Sequence, residues 1–176
     1  MGKEDAIVKI SSTSLERVSS QISLVDRILS ERQDNYRQAQ EYYEKGKSFE
    51  KSGDYLNAVH FFTKAIELNP MEVTYYTSRA WTYYTPLRKY QEAINDLSKA
   101  MELDKDHLDT YYIDRGRNKY FLGDLEGAIN DCDKALELKP TMKNRLRFME
   151  WYDRAHGMLN RYNELLIKQS KWKLIE

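Results

Sequence analysis

Three segments of this chain superimpose at a constant spacing of 35 residues: Ala58 to Pro70 (AVHFFTKAIELNP), Ala93 to Lys105 (AINDLSKAMELDK) and Ala128 to Pro140 (AINDCDKALELKP). A fixed period of this length marks an array of one supersecondary unit rather than a single irregular core. In register stand Ala58, Ala93 and Ala128; Lys64, Lys99 and Lys134; Ala65, Ala100 and Ala135; Glu67, Glu102 and Glu137; and Leu68, Leu103 and Leu138. Each segment places apolar or small residues at i, i+3, i+4 and i+7, as in Ala58, Phe61, Phe62 and Ala65, which is the helical period. Upstream lie Tyr42 with Gly46, Tyr76 with Ala80, and Tyr112 with Gly116, each an aromatic and a small residue four apart on one helical face. The unit is therefore a pair of helices. The small residue admits the partner helix and the aromatic fills the gap one turn away. Gly53-Asp54 and Gly123-Asp124 supply turns between the paired helices.

The pattern resembles the tetratricopeptide repeat family over Ala39 to Pro140, and the first copy is nearly complete: Tyr42, Gly46, Phe49, Tyr55, Ala58, Phe62, Ala65 and Pro70. The second copy has Pro86 and one extra residue in its inner turn, another before Leu108, and closes on Lys105. The third has Lys119 where the first helix normally buries a ring, and Cys132 at an aromatic position, where it is expected to fill core space rather than react. The resemblance implies an all-α, right-handed superhelix of three helix-turn-helix repeats. It divides the chain into an N-terminal helix (1–38), repeats over 39–72, 73–108 and 109–142, and a C-terminal helix or helices (143–176).

The 28 basic and 28 acidic side chains cancel, which argues against nucleic-acid backbones and anionic lipid surfaces as partners. No segment is apolar for long enough to span a membrane. One cysteine excludes an intrachain disulfide and, with acidic residues at the start where a signal peptide would be basic, points to a cytoplasmic location. His60, His107 and His156 are scattered without metal-ligand spacing, and no phosphate loop or nucleophile elbow is present. The expectation is a protein that holds another protein, without catalysis, cofactor or metal.

In the resembled family the first helix of each pair lines a concave groove that takes peptides or helices. Transferred here, that face comprises Tyr43, Glu44, Lys47 and Glu50; then Thr77, Ser78, Trp81 and Tyr84; then Ile113, Asp114, Arg117 and Tyr120. Aromatic and arginine side chains commonly anchor interfaces, so Trp81, Tyr84, Arg117 and Tyr120 are the preferred contacts. A chaperone-binding subgroup grips a terminal carboxylate with Lys, Asn, Asn, Lys and Arg. Here Tyr43, Lys47, Ser78, Thr110 and Asp114 occupy those positions. A carboxylate facing Asp114 would be repelled, so a carboxylate-clamp co-chaperone is not expected.

Both flanks carry amphipathic patterns. Leu15, Val18, Ile22, Val25 and Ile28 or Leu29 recur at steps of three and four behind a Thr13/Glu16 capping box, predicting a helix over about Ser14 to Glu31. It would cap the first repeat, fill the groove, or self-associate through Leu15, Val18, Ile22, Val25 and Leu29. The last of these gives the alternative function, a structural subunit or secretion-type chaperone assembled through its N-terminal helix. After Pro140, one long helix or two shorter ones broken at Gly157, with Met158, Tyr162, Leu165 and Trp172 near one face, should cap the array. The start of this segment is basic at Lys143, Arg145 and Arg147.

Overall fold

The computed structural model describes residues 12–141 and 146–172. They form seven helices: α1 (Ser12–Ser52), α2 (Tyr55–Leu68), α3 (Val73–Tyr84), α4 (Tyr90–Leu103), α5 (Leu108–Leu122), α6 (Leu125–Leu138) and α7 (Leu146–Trp172), with no strand among the described residues. The pairs α1/α2, α3/α4 and α5/α6 are the three repeats, and α7 packs on α6 and α5.

The second helices pack where the alignment places small residues. Ala58, Ala65, Ala93, Ala100, Ala128 and Ala135 are all fully buried. The small residues of the first helices are spent the same way. A methyl group on Gly46 would lie 2.6 Å from the Phe62 ring, and one on Gly116 would lie 3.2 Å from the Trp151 indole. Cys132 is buried in the core cluster of Ile113, Ala128, Ala135 and Trp151, where burial pushes its thiol far above the usual range. His60 lies exposed, edge-on to Phe61.

The inner turns differ as the alignment predicts. Gly53 and Gly123 adopt φ of 83° and 92°, and Asp54 and Asp124 cap the next helix through the backbone N–H of Asn57 and Gly127. In the middle repeat Arg88 takes the left-handed position at φ 52° and Lys89 provides no side-chain cap. The extra residue beside Pro86 lengthens the turn: Asp54 and Asp124 donate to the carbonyls of Phe49 and Lys119, five residues back, whereas Lys89 donates to Tyr83, six back.

A buried ionic staple joins the repeats. Arg79 on α3 donates through Nε and Nη2 to Asp96 on α4 (2.8 and 2.7 Å) and through Nη1 to the hydroxyl of Thr63 on α2 (2.9 Å). One repeat later, Arg115 on α5 makes the same bidentate pair with Asp131 on α6 (both 2.8 Å) and reaches Ser98 on α4 (3.1 Å). Each arginine thus holds its own repeat together and ties it to the preceding one. Lys119, which replaces the expected ring, makes a second ion pair with the fully buried Asp131 at 3.0 Å. At the next equivalent of Thr63 and Ser98 stands Asp133, which accepts a hydrogen bond from Tyr152 of α7 at 2.7 Å.

The flanks depart from expectation. The predicted helix over Ser14 to Glu31 does not end there; no glycine or proline occurs between Gly2 and Gly46, so it runs unbroken into the first helix of repeat 1 as the 41-residue α1. Every residue from 14 to 38 is exposed, so this segment neither packs as a cap on the first repeat nor fills the groove. Helix α7 is continuous through Gly157, and its Trp151 and Ala155 are buried against the last repeat, although Met158 is exposed. Lys143, Arg145 and the side chains of Thr13, Arg147, Tyr162, Leu165 and Trp172 lie outside the described residues.

Candidate functional site

The first helices α3 and α5 stand side by side and leave a cleft of about 310 Å³ between them, floored by Ala80, Leu97 and Tyr111. Its walls come from Thr77, Trp81 and Tyr84 on α3 and from Thr110, Asp114, Arg117 and Asn118 on α5, with His107 at the edge. The one-turn spacing of Thr77, Trp81 and Tyr84 on one helix, and of Thr110, Asp114 and Arg117 on the next, puts both rows on the same surface.

Five of the twelve residues expected on the concave face meet here: Thr77, Trp81, Tyr84, Asp114 and Arg117. Trp81 is 55 % exposed, a large aromatic left open to solvent. Its ring leans on Tyr84 at 6.0 Å, and Tyr84 packs on Phe121 at 5.8 Å, so the aromatic wall is held from behind. The Arg117 guanidinium lies 5.7 Å from the Tyr84 ring centre and 3.3 Å from the Asp114 carboxylate. Burial raises the Asp114 carboxyl above its usual range, partly countered by Arg117; burial likewise raises the Tyr84 phenol against the pull of the same guanidinium.

Of the remaining seven, Tyr43, Lys47, Glu50, Ser78, Ile113 and Tyr120 are engaged elsewhere. Tyr43 packs on Phe62 and Tyr75 and shares a 3.2 Å hydrogen bond with Ser78, joining repeats 1 and 2. Lys47 forms an ion pair with Glu50 at 2.6 Å, which raises its pKa. Glu50 also accepts from the buried Thr82 hydroxyl at 3.1 Å. Ile113 is not on the concave surface; it is 7 % exposed and belongs to the core around Trp151, because α7 covers that side of α5. Tyr120 packs against Trp151 and Phe121. Sequence reasoning missed His107 and Asn118 as lining residues. Asn118 follows Asp114 by one turn, a signal that was available, whereas His107 is the N-cap residue of α5 and lies before the helical phase begins.

Among the described residues no group of three or more His, Cys, Asp or Glu is placed to hold a metal ion, and no helix is long and apolar enough to cross a membrane. The cleft presents an aromatic wall, an apolar floor and a few convergent polar groups, an arrangement suited to holding a ligand.

The family model for the tetratricopeptide repeat matches residues 39–70, 73–107 and 110–142. Among curated proteins, serine/threonine-protein phosphatase 5 of Rattus norvegicus is 32 % identical over 115 residues, 65 % of this chain but only 23 % of that protein. The chain thus spans about a quarter of the length of that relative. Among solved structures, the first TPR of Spaghetti (RPAP3) bound to the HSP90 peptide SRMEEVD is 28 % identical with a TM-score of 0.62, covering 71 % of this chain and 95 % of that one. The second TPR domain of human RPAP3 in complex with the HSP70 peptide SGPTIEEVD is 26 % identical with a TM-score of 0.60, covering 69 % and 98 %.

Proposed function

The chain belongs to the tetratricopeptide repeat family, and from that premise we propose that it is a non-catalytic adaptor holding a peptide segment or helix of a partner protein in the cleft between α3 and α5. The observation that carries this is the exposed Trp81, braced by Tyr84 and facing Asp114 and Arg117 across an apolar floor. Solved relatives hold peptides of HSP90 and HSP70, which supports the class of ligand. The manner of grip proposed here differs from a carboxylate clamp. Of the five clamp positions, Tyr43 and Ser78 are paired to each other, Lys47 is paired to Glu50, Thr110 carries no charge, and Asp114 is an anion. The phosphatase activity of the curated relative does not transfer, since the match covers less than a quarter of it.

The test is retention of a randomised peptide display library on the immobilised chain. Trp81→Ala and Arg117→Glu should each lower retention by about tenfold, the size of a typical interface anchor, with helical circular dichroism unchanged. Retention equal to wild type in both variants would place the binding site elsewhere.

A second reading rests on a separate observation. Leu15, Val18, Ile22, Val25, Ile28 and Leu29 on α1 are 41–57 % exposed, more contiguous apolar surface than an isolated helix usually leaves in water. Such a stripe suits assembly, either with a second copy or within a larger complex. A light-scattering mass of one chain, unchanged by Val18→Asp with Ile22→Asp, would remove the homodimer.

A further inference from the structure

The polar groups of the cleft are unevenly satisfied, and the imbalance has a sign. Asn118 is 2 % exposed, and its Nδ2 donates to the backbone carbonyl of Asp114 at 2.8 Å. Its Oδ1, buried at the cleft, accepts from no donor among the described residues. A buried acceptor left without a donor is costly and uncommon. One turn earlier, the Asp114 carboxylate meets Arg117 at 3.3 Å, longer than the 2.7 to 2.9 Å typical of strong charge-assisted hydrogen bonds. Arg117 itself is occupied, laid over Tyr84. The cleft therefore has spare acceptor capacity in Asn118 Oδ1 and Asp114, while its one cation is already engaged by a ring and a carboxylate.

An incoming carboxylate would find two more acceptors. An ammonium or guanidinium group would give Asn118 Oδ1 the donor it lacks and Asp114 a shorter partner. The aliphatic stem of such a side chain would lie along Leu97 and Ala80, and the face of the exposed Trp81 is a surface on which a cation gains further. Arg117 on Tyr84 already displays this chemistry within the same cleft: a cation between an aromatic face and Asp114.

We infer that the α3/α5 cleft selects a lysine or arginine side chain of its partner peptide, with Asp114 and Asn118 Oδ1 as acceptors and Trp81 as the platform. This rests on the reading of the cleft as the peptide site. The specificity is opposite in sign to that of a site built for acidic chain ends. It does not follow from bulk charge, since the 28 basic and 28 acidic side chains of the chain cancel.

The experiment uses the full chain and peptide libraries in which one position is fixed in turn as Lys, Arg, Asp, Glu, Leu or Ala. It is run at about 0.15 M salt, where the Debye length of about 8 Å suppresses distant charge effects. Wild-type protein should retain the Lys- and Arg-fixed libraries about tenfold better than the Asp- and Glu-fixed ones. Asp114→Asn should bring the two classes to within about twofold, and Asp114→Arg should reverse the order, because truncating or inverting one partner of a close charge contact acts on affinity directly. Thermal unfolding of both variants establishes that they fold. Acidic libraries retained as well as or better than basic ones, with retention still dependent on Trp81, would overturn the inference and leave the peptide site standing. A basic preference that Asp114→Asn leaves intact would also overturn it. Retention of every library independent of Trp81 would remove the peptide site itself.

Discussion

The two ends of the array carry apolar stripes of similar helical spacing and meet opposite fates. Helix α7 comes back onto the last repeat, where Trp151 is 8 % exposed, lies over Gly116 and joins Ile113, Ala128 and Cys132. The first half of α1 buries none of its stripe. The difference is chain reversal. Helix α7 follows a connection after Pro140 and can approach the face that α5 and α6 leave open. The N-terminal stripe is the straight continuation of a helix that is itself part of repeat 1, and with no glycine or proline between Gly2 and Gly46 that continuation does not fold back on its own array. An apolar period marks a face that gains from a partner; whether the chain supplies that partner depends on where it turns.

The comparison breaks most readily at Trp151. Trp151→Ala should lower stability by about 3–5 kcal/mol through lost burial and the cavity left behind, measured by urea denaturation with the slope checked for two-state behaviour. A loss below about 1 kcal/mol would show that α7 is as loosely held as the α1 overhang. Tyr152→Phe removes the hydroxyl that ends the line of Thr63, Ser98 and Asp133. It should cost about 1 kcal/mol, and a double-mutant cycle with Asp133→Ala assigns that loss to the pair. The smallest expected effect is at the other end. Ile22→Asp should change the stability of the single chain by no more than about 0.5 kcal/mol, as exposed substitutions do. A loss above about 1.5 kcal/mol that grows with protein concentration would show the stripe covered by another copy, since association couples stability to concentration.

Much of the repeat was legible because alanines, the aromatic/small pairs and the Gly-Asp turns recur with the same offsets. The irregular middle turn was legible too, since Arg88 and Lys89 stand where the neighbouring repeats have glycine and aspartate. The staples were not read, although Arg79 and Arg115 precede the small residue of their helices and Asp96 and Asp131 fall in the aligned segments. A pair split between two helices 16 or 17 positions apart leaves no period in either. Lys119 looked like a departure from the pattern and is instead the second cation on Asp131. At the candidate site, helical phase placed Thr77, Trp81, Tyr84, Asp114 and Arg117 together. Phase alone does not separate an exposed position from one that a later helix covers, hence Ile113 and Tyr120 against Trp151.

By itself the sequence determined the unit, its number and which faces needed burying, because periodicity and residue size act locally and repeat with the chain. Tertiary structure decided which of those faces found cover and which of the concave residues remained free. It also left Asn118 Oδ1, at a residue lining the cleft, without a donor among the described residues. These outcomes depend on close approach between helices, and close approach is set by the whole array rather than by any one segment of it.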